Sequence, residues 1–110
     1  LQGGRIARGY LGVGMQPVHL PETWGRSLNL SQTSGVIVVS VEPGSPAEQA
    51  GVLIGDILVA LGQTPITDVG DVLAMLDPES VGNPLAVRLI RAGSLIELTL
   101  TVGERPSSEV

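Results

Sequence analysis

The sequence predicts a mostly β fold (α+β) with two or three short helices, in which five or six short strands form a partly open barrel or sandwich capped by the helices. The 110 residues suffice for one modest core. That core must be aliphatic and suits strands, because the chain has no Phe, one Trp and one Tyr. In the last segment Ile96, Leu98, Leu100 and Val102 alternate with polar residues, which predicts a strand with one buried face.

The first predicted elements are a strand, a helix and a second strand. The first strand runs from Tyr10 to Val18 and is closed by Pro17 and the turn-prone residues after it. A helix is predicted from Pro21 to about Leu30, with Pro in its first turn and Glu22 beside it. The Val/Ile run from Gly35 to Val41 is typical of a buried strand.

A short helix is predicted after the turn at residues 43–46. Ser45 can cap it, with Pro46 at its first position and Glu48 at its third. Gly51 can end it.

The second half begins with a strand from Asp56 to Leu61, followed by a turn and a brief return around Ile66. Thr67 or Asp68 can cap the next helix, which ends at Asp77-Pro78. One apolar stripe at helical spacing marks this helix: Val69, Val72, Leu73 and Leu76.

A hairpin is predicted to complete the fold. Its strands run from Leu85 to Ile90 and from Leu95 to Val102, and residues 91–94 form the turn.

Charge excludes several classes of partner. Eleven acidic residues against six Arg and no Lys give a net charge of −5. With no basic cluster, neither nucleic acid nor an anionic membrane is expected as a partner. No apolar run approaches the roughly 18–20 residues of a membrane span, so no membrane insertion is expected. The absence of Cys excludes disulfides and thiolate chemistry.

The segment Arg8-Gly9-Tyr10-Leu11-Gly12-Val13 is the most informative motif. An apolar-Gly-apolar turn that opens a strand directs several backbone N–H groups at one point, while the flanking aliphatic side chains form a pocket. That arrangement suits the terminal carboxylate and last side chain of a peptide.

These residues resemble PDZ domains, specifically those attached to trypsin-like serine proteases of the HtrA family. The resemblance covers about Arg8 to Gly103. Its strongest parts are Arg8–Val13, Gly35–Val39, Val41–Gly51 and Gly55–Leu58. Two strands follow the second helix, which resembles the permuted order of bacterial PDZ domains. The segment from His19 to Ser34 resembles the helical insertion of the protease-linked group.

The resemblance implies peptide binding by strand addition beside residues 13–18. The implied carboxylate-binding residues are Tyr10, Leu11, Gly12 and Val13. The implied groove residues are Arg8, Gly14, Met15, Val69, Val72, Leu73 and Leu76. Two alternatives stay open: Arg8 could lie at a solvated strand entrance, and Tyr10 could pack under the loop. The helix starts with Asp68 or Val69 and not with His, so selection of Ser or Thr two residues before the ligand's end is not expected.

The implied function is capture of C-terminal peptides with an apolar last residue, such as those of misfolded proteins. Binding would recruit substrate to an HtrA-like serine protease or regulate it, in a bacterial periplasm or cell envelope. The catalytic triad would lie upstream of this chain. The alternative is a non-proteolytic scaffold or secretion-complex module. No catalytic residue, metal or cofactor is expected, because His19 is the only His and the acids around the second helix fit caps better than a carboxylate pair.

The expected organisation is a linker at 1–7, a PDZ domain at 8–103 and a tail at 104–110, and the isolated chain is expected to be monomeric. The tail ends in Ser107-Ser108-Glu109-Val110 and resembles a PDZ ligand. It could dock in a neighbouring molecule's groove or be incidental, and the sequence leaves both open.

Overall fold

Strands dominate the computed structural model, which describes residues 9–28 and 30–104. The strands are β1 (Gly9–Tyr10), β2 (Val13–His19), β3 (Ser34–Val41), β4 (Ile57–Leu61), β5 (Thr64–Pro65), β6 (Pro84–Arg91), β7 (Ser94–Thr101) and β8 (Gly103–Glu104). The helices are α1 (Glu22–Ser27), α2 (Pro46–Ala50) and α3 (Val69–Ala74), and a 3₁₀ turn spans Pro78–Ser80.

The main sheet is antiparallel, with strand order β2-β3-β4-β6-β7. The short β5 pairs with β4, and β1 pairs separately with β8. Strand β2 is thus an edge strand, since β3 lies on one side and no described strand pairs with the other. The predicted fold class, mostly β with up to three short helices, is confirmed.

The core is aliphatic, as the composition predicted. Leu61, Val72 and Leu89 are fully buried within the main cluster, which lies between the sheet and helices α2 and α3. A second, smaller cluster consists of Leu20, Val59 and Ile90. Trp24 of α1 packs against this second cluster, so the insertion is fixed to the domain by burial of its own apolar residues.

The predicted capping of α2 is confirmed. The Ser45 Oγ accepts a hydrogen bond from the Glu48 N–H at 3.2 Å, and Pro46 is the first helical residue. The Glu48 carboxylate in turn accepts from the Gly44 N–H at 2.6 Å. Gly51 ends the helix. The connection from β3 into α2 is therefore held by its own local residues.

The predicted hairpin is also confirmed. Strands β6 and β7 pair along their whole length, and Arg91 and Ser94 form the last pair before the two-residue turn. Both turn residues, Ala92 and Gly93, have positive φ, as the favoured two-residue hairpin turn requires.

The prediction of one continuous strand from Tyr10 to Val18 is wrong. Residues 11–12 separate β1 from β2, and Gly12 has a φ of +85°. This left-handed conformation interrupts an extended chain. Residues 11–12 therefore form a loop between β1, which pairs with β8, and β2, which belongs to the main sheet.

Three other predicted bounds are corrected. Helix α1 is shorter than predicted, because Leu28 already has non-helical backbone angles at its C-cap. Strand β4 begins at Ile57, one residue after the predicted start, and Asp56 belongs to the preceding turn. Helix α3 ends at Ala74, so Leu76 lies beyond it. The apolar stripe is divided, since Val72 is fully buried while Leu73 is 49% exposed.

Candidate functional site

The loop at Leu11-Gly12 is held by its carbonyl groups. The Leu11 carbonyl accepts from the Ala47 N–H at 2.9 Å, and the Gly12 carbonyl accepts from the Glu42 N–H at 2.8 Å. A Cβ on Gly12 would overlap Ser45, with 2.7 Å left to its Oγ. The loop therefore lies directly against the connection between β3 and α2, and it fits there because residue 12 has no side chain.

The N–H groups of the same loop are available. Among the described residues, neither the Leu11 N–H nor the Gly12 N–H donates to a backbone or side-chain acceptor. Leu11 is only 4% exposed, and Gly12 is buried. Buried backbone donors without a partner are rare in folded proteins because each one costs free energy. Two adjacent backbone donors without a protein partner are able to bind an anion.

The outward-facing groups of β2 follow from its register. The Val38 N–H donates to the Asp56 carbonyl and the Val38 carbonyl accepts from the Gly55 N–H, each at 2.8 Å, so both groups point away from β2. Met15 is paired with Val38. In an antiparallel pair of this kind the N–H and C=O of Met15 point to the open edge, as do those of Pro17 two residues away. The register shifts between Gly14 and Met15, but the Gly12 carbonyl accepts from Glu42 at the end of β3, so the groups of Val13 also point outward.

Helix α3 lies beside this open edge, and two hydrogen bonds fix its direction. At one end the Leu76 carbonyl, just after α3, accepts from the Gly9 N–H at 3.0 Å. At the other end the Thr67 carbonyl, just before α3, accepts from the Ser34 Oγ at 3.0 Å. Ser34 is paired with His19 at the far end of β2. The C-terminal end of α3 is therefore near the loop, and β2 and α3 form the two walls of a groove.

The predicted site residues are distributed over this loop and groove. Tyr10 is half-buried, and its hydroxyl lies beside Gly12. The residues that are buried in or packed against the main core are Leu11, Val13, Met15, Val69, Val72 and Leu76. Gly14 lies in β2 opposite Ser40. Leu73 is half-exposed on α3, on the same helix face as Val69 by its spacing. Arg8 lies outside the described residues, as does the predicted ligand-like tail at 107–110.

A small apolar cavity lies beneath the loop and shares only part of the lining predicted for the ligand's last side chain. The cavity is lined by Leu11, Val13, Ala47, Val52, Leu58, Leu61, Val87 and Leu100. Leu11 and Val13 also belong to the predicted pocket. The space beside these two residues therefore extends toward the sheet core, and no residue of α3 lines it.

Sequence reasoning missed Gln32 as a residue that positions the groove. Its side-chain amide is within hydrogen-bond distance of the carbonyls of Ile66 (2.7 Å), Val59 (3.1 Å) and Ser34 (3.1 Å). The end of the insertion is thus connected to the segment that leads into α3. A glutamine in a polar loop has no local pattern that distinguishes this role, because its partners lie up to 34 residues away.

Acidic residues cap α3 at its N-terminal end. The Asp68 carboxylate accepts from the Asp71 N–H at 3.0 Å, and the Asp71 carboxylate accepts from both the N–H and the hydroxyl of Thr67 at 2.9 Å. These Thr67 hydrogen bonds stabilise the ionised carboxylate and lower the pKa of Asp71 below its ordinary value of 3.8. Of the two caps predicted, Asp68 is the one used.

Acid is expected to destabilise the start of α3 through Asp71. Because the pKa of Asp71 is lower in the folded chain than the ordinary 3.8, its contribution is complete above that value and is lost as pH falls through the folded-state pKa. The free energy of unfolding should therefore fall on acidification, and D71N should flatten that part of the profile. Urea unfolding between pH 7 and pH 2 measures it. E97Q, at an exposed site on β7, is the matched control, and an equally flattened profile in both variants would contradict the assignment.

Within the described residues, no group of three or more His, Cys, Asp or Glu side chains is arranged to hold a metal ion. In the same part of the chain, no helix is both long and apolar enough to cross a membrane.

The family follows from comparison with known proteins. The family model described as PDZ domain matches residues 9–102, and the chain belongs to the PDZ domain family. Within that family it is similar to the PDZ domains of HtrA-type serine proteases, which confirms the resemblance drawn from the sequence.

Two curated relatives illustrate the similarity. A probable periplasmic serine endoprotease, DegP-like, of Rhizobium meliloti is 36% identical over 107 residues, which are 97% of this chain and 21% of the relative. A putative serine protease HhoA of Synechocystis is 28% identical over 108 residues, with 93% of this chain and 27% of the relative covered. The chain thus spans about a fifth to a quarter of these relatives. It corresponds to their PDZ domain and not to their catalytic domain, as predicted.

Solved structures give the same result. The HtrA-type protease AlgW with a decapeptide superposes with a TM-score of 0.76 at 28% identity, over 96% of this chain and 32% of that one. The HtrA3 PDZ domain bound to the phage-derived ligand FGRWV gives a TM-score of 0.68 at 20% identity, over 90% of this chain and 88% of that one. The second likeness supports the fold alone.

Proposed function

We propose that this PDZ domain binds the C-terminal end of peptides, with the terminal carboxylate at Leu11-Gly12 and the peptide backbone along β2. The observation that carries the proposal is a pair of adjacent N–H groups, on the buried residues Leu11 and Gly12, that have no partner among the described residues and lie at the end of an open strand edge. An anion at those donors and a strand along that edge satisfy both sets of backbone groups with one ligand. The outward N–H of Val13 supplies a third donor.

The ligand's last side chain is proposed to be apolar. The groove residues that adjoin the loop are aliphatic, and burying one aliphatic side chain against them contributes about 1.5–3 kcal/mol. Hydrogen bonds to the carboxylate add about 1.5–3 kcal/mol each. After the costs of association and ordering, these contributions give an affinity in the micromolar range, about −8 kcal/mol.

The relatives support this reading of the groove. AlgW has been solved with a decapeptide and with a tripeptide. Relatives are named periplasmic serine endoproteases. We therefore propose that this domain delivers substrate to an HtrA-like protease, or regulates one, in the periplasm.

The test is a comparison of a peptide acid with its amide. Fluorescence polarisation should give a dissociation constant near micromolar for a labelled heptapeptide ending in Val as the free acid, and at least about a tenfold weaker one for the C-terminal amide. The amide carries one additional Glu at its first residue, so both peptides have the same net charge. Equal binding would show that the carboxylate is not recognised and would refute the proposal.

A further inference from the structure

One residue on the open edge of β2 cannot donate a hydrogen bond. Val13, Met15 and Pro17 direct their backbone groups outward, and Pro17 has a carbonyl but no N–H. Pro17 is exposed and is paired with Val36 on its other side. The outward edge therefore offers a donor and an acceptor at Met15, but only an acceptor at Pro17.

The missing N–H of Pro17 corresponds to a defined position of the ligand. With the carboxylate at the loop, antiparallel pairing places the ligand's last residue opposite Val13 and its third residue from the end opposite Met15. Its fifth residue from the end is then opposite Pro17. The carbonyl of that fifth residue faces a position that has no N–H.

We propose that Pro17 limits the complete β-ladder to the last three residues of the ligand, so that this domain recognises short C-terminal ends. The inference rests on the proposed function and deepens it. Upstream of the third residue from the end the ladder is incomplete: the N–H of the fifth residue can donate to the Pro17 carbonyl, but the fifth carbonyl keeps water as its partner. The same proline also hinders pairing of this edge with a strand of a second molecule.

The test uses two peptides that differ by one carbonyl at the critical position. In an acetylated tripeptide ending in Val, the acetyl carbonyl takes the place of the fourth residue's carbonyl and points away from β2. In the acetylated tetrapeptide, extended by one Ala, it takes the place of the fifth residue's carbonyl and faces residue 17. Both compete for the 110-residue chain against a labelled heptapeptide acid, whose own binding reports the proposed function.

For the natural chain the two peptides are expected to compete about equally. P17A restores an N–H, and the tetrapeptide should then bind about three- to tenfold more tightly than the tripeptide, the value of one net hydrogen bond. Q16A is the matched control, because the Gln16 N–H points to β3, and its ratio should equal that of the natural chain. Thermal unfolding shows whether each variant is folded.

Three results would overturn the inference. One is an affinity of the natural chain for the tetrapeptide that is about threefold or more higher than for the tripeptide. This result would refute the inference even if P17A does not fold. Another is an unchanged ratio in folded P17A. The third is a probe that binds while neither short peptide competes, which would place essential contacts further upstream. A probe that does not bind refutes the proposed function itself.

Discussion

Replacement of Gly12 by alanine is expected to weaken peptide binding at least about tenfold and to lower the stability of the domain. Gly12 has a φ of +85°, which costs an L-residue roughly 1–2 kcal/mol. The added Cβ would also overlap Ser45. Moving the loop to relieve this overlap displaces the Leu11 and Gly12 N–H groups. Fluorescence polarisation should show at least about a tenfold weaker affinity for the peptide acid, the loss of one hydrogen bond to a charged group.

Gly44 provides a matched control for this variant. Its φ is +73°, but a Cβ there would meet no atom within 4 Å. G44A therefore imposes the free-energy cost of a positive φ but no steric overlap, at a residue outside the carboxylate loop. We expect it to lose about 1–2 kcal/mol of unfolding free energy and to keep its peptide affinity. Equal affinities of the two alanine variants would contradict the role assigned to Gly12.

The elements that the sequence predicted correctly are those specified by neighbouring residues. The α2 cap needs only Ser45, Pro46 and Glu48, within four residues of one another. The β6–β7 hairpin needs alternating side chains and a two-residue turn. In both cases the element forms through interactions between residues that are close in sequence, so it can be predicted without knowledge of the rest of the fold.

The break between β1 and β2 was missed because apolar periodicity does not report φ. The sequence Tyr10-Leu11-Gly12-Val13 has the composition of a strand interior, and Leu11 is as buried as a strand residue would be. The strand is interrupted by the left-handed φ of Gly12, in a loop whose carbonyls bond to the N–H groups of Glu42 and Ala47 far along the chain. The sequence nevertheless predicts a carboxylate site at this loop, because Gly12 is part of the motif that carries the prediction.

Contacts over long sequence separations were beyond prediction for a related reason. The Gln32 side chain donates a hydrogen bond to the Ile66 carbonyl, and the Asp56 carboxylate accepts one from Arg91. In each case the two residues lie more than 30 positions apart in the sequence. The sequence predicts a strand that starts at Asp56, whereas β4 starts at Ile57. The Asp56 side chain is 2% exposed and fully hydrogen-bonded, which only the assembled fold explains.

D56A is expected to destabilise the domain by about 2–3 kcal/mol. The buried Asp56 carboxylate accepts from the Leu53 N–H at 2.8 Å and from the Nε and a terminal nitrogen of Arg91 at 2.9 and 2.7 Å. It thereby connects the turn after α2 to the end of β6, and the hydrogen bonds to it raise the pKa of Arg91. Removal of the carboxylate leaves the Leu53 N–H and the Arg91 guanidinium without this partner. Urea unfolding followed by Trp24 fluorescence measures the loss.

A double-mutant cycle separates the ion pair from the effect of a cavity. Arg91 also donates to the Gly51 carbonyl at 2.8 Å, so R91A removes that bond and the ion pair together. If Asp56 and Arg91 act as one unit, the double variant should lose less than the sum of the two single losses, because the shared bonds are removed only once. Additive losses would show that each side chain stabilises the fold independently. The Arg91 side chain is 31% exposed, so part of the coupling should weaken in high salt, whereas the hydrogen bond from the Leu53 N–H to buried Asp56 should persist.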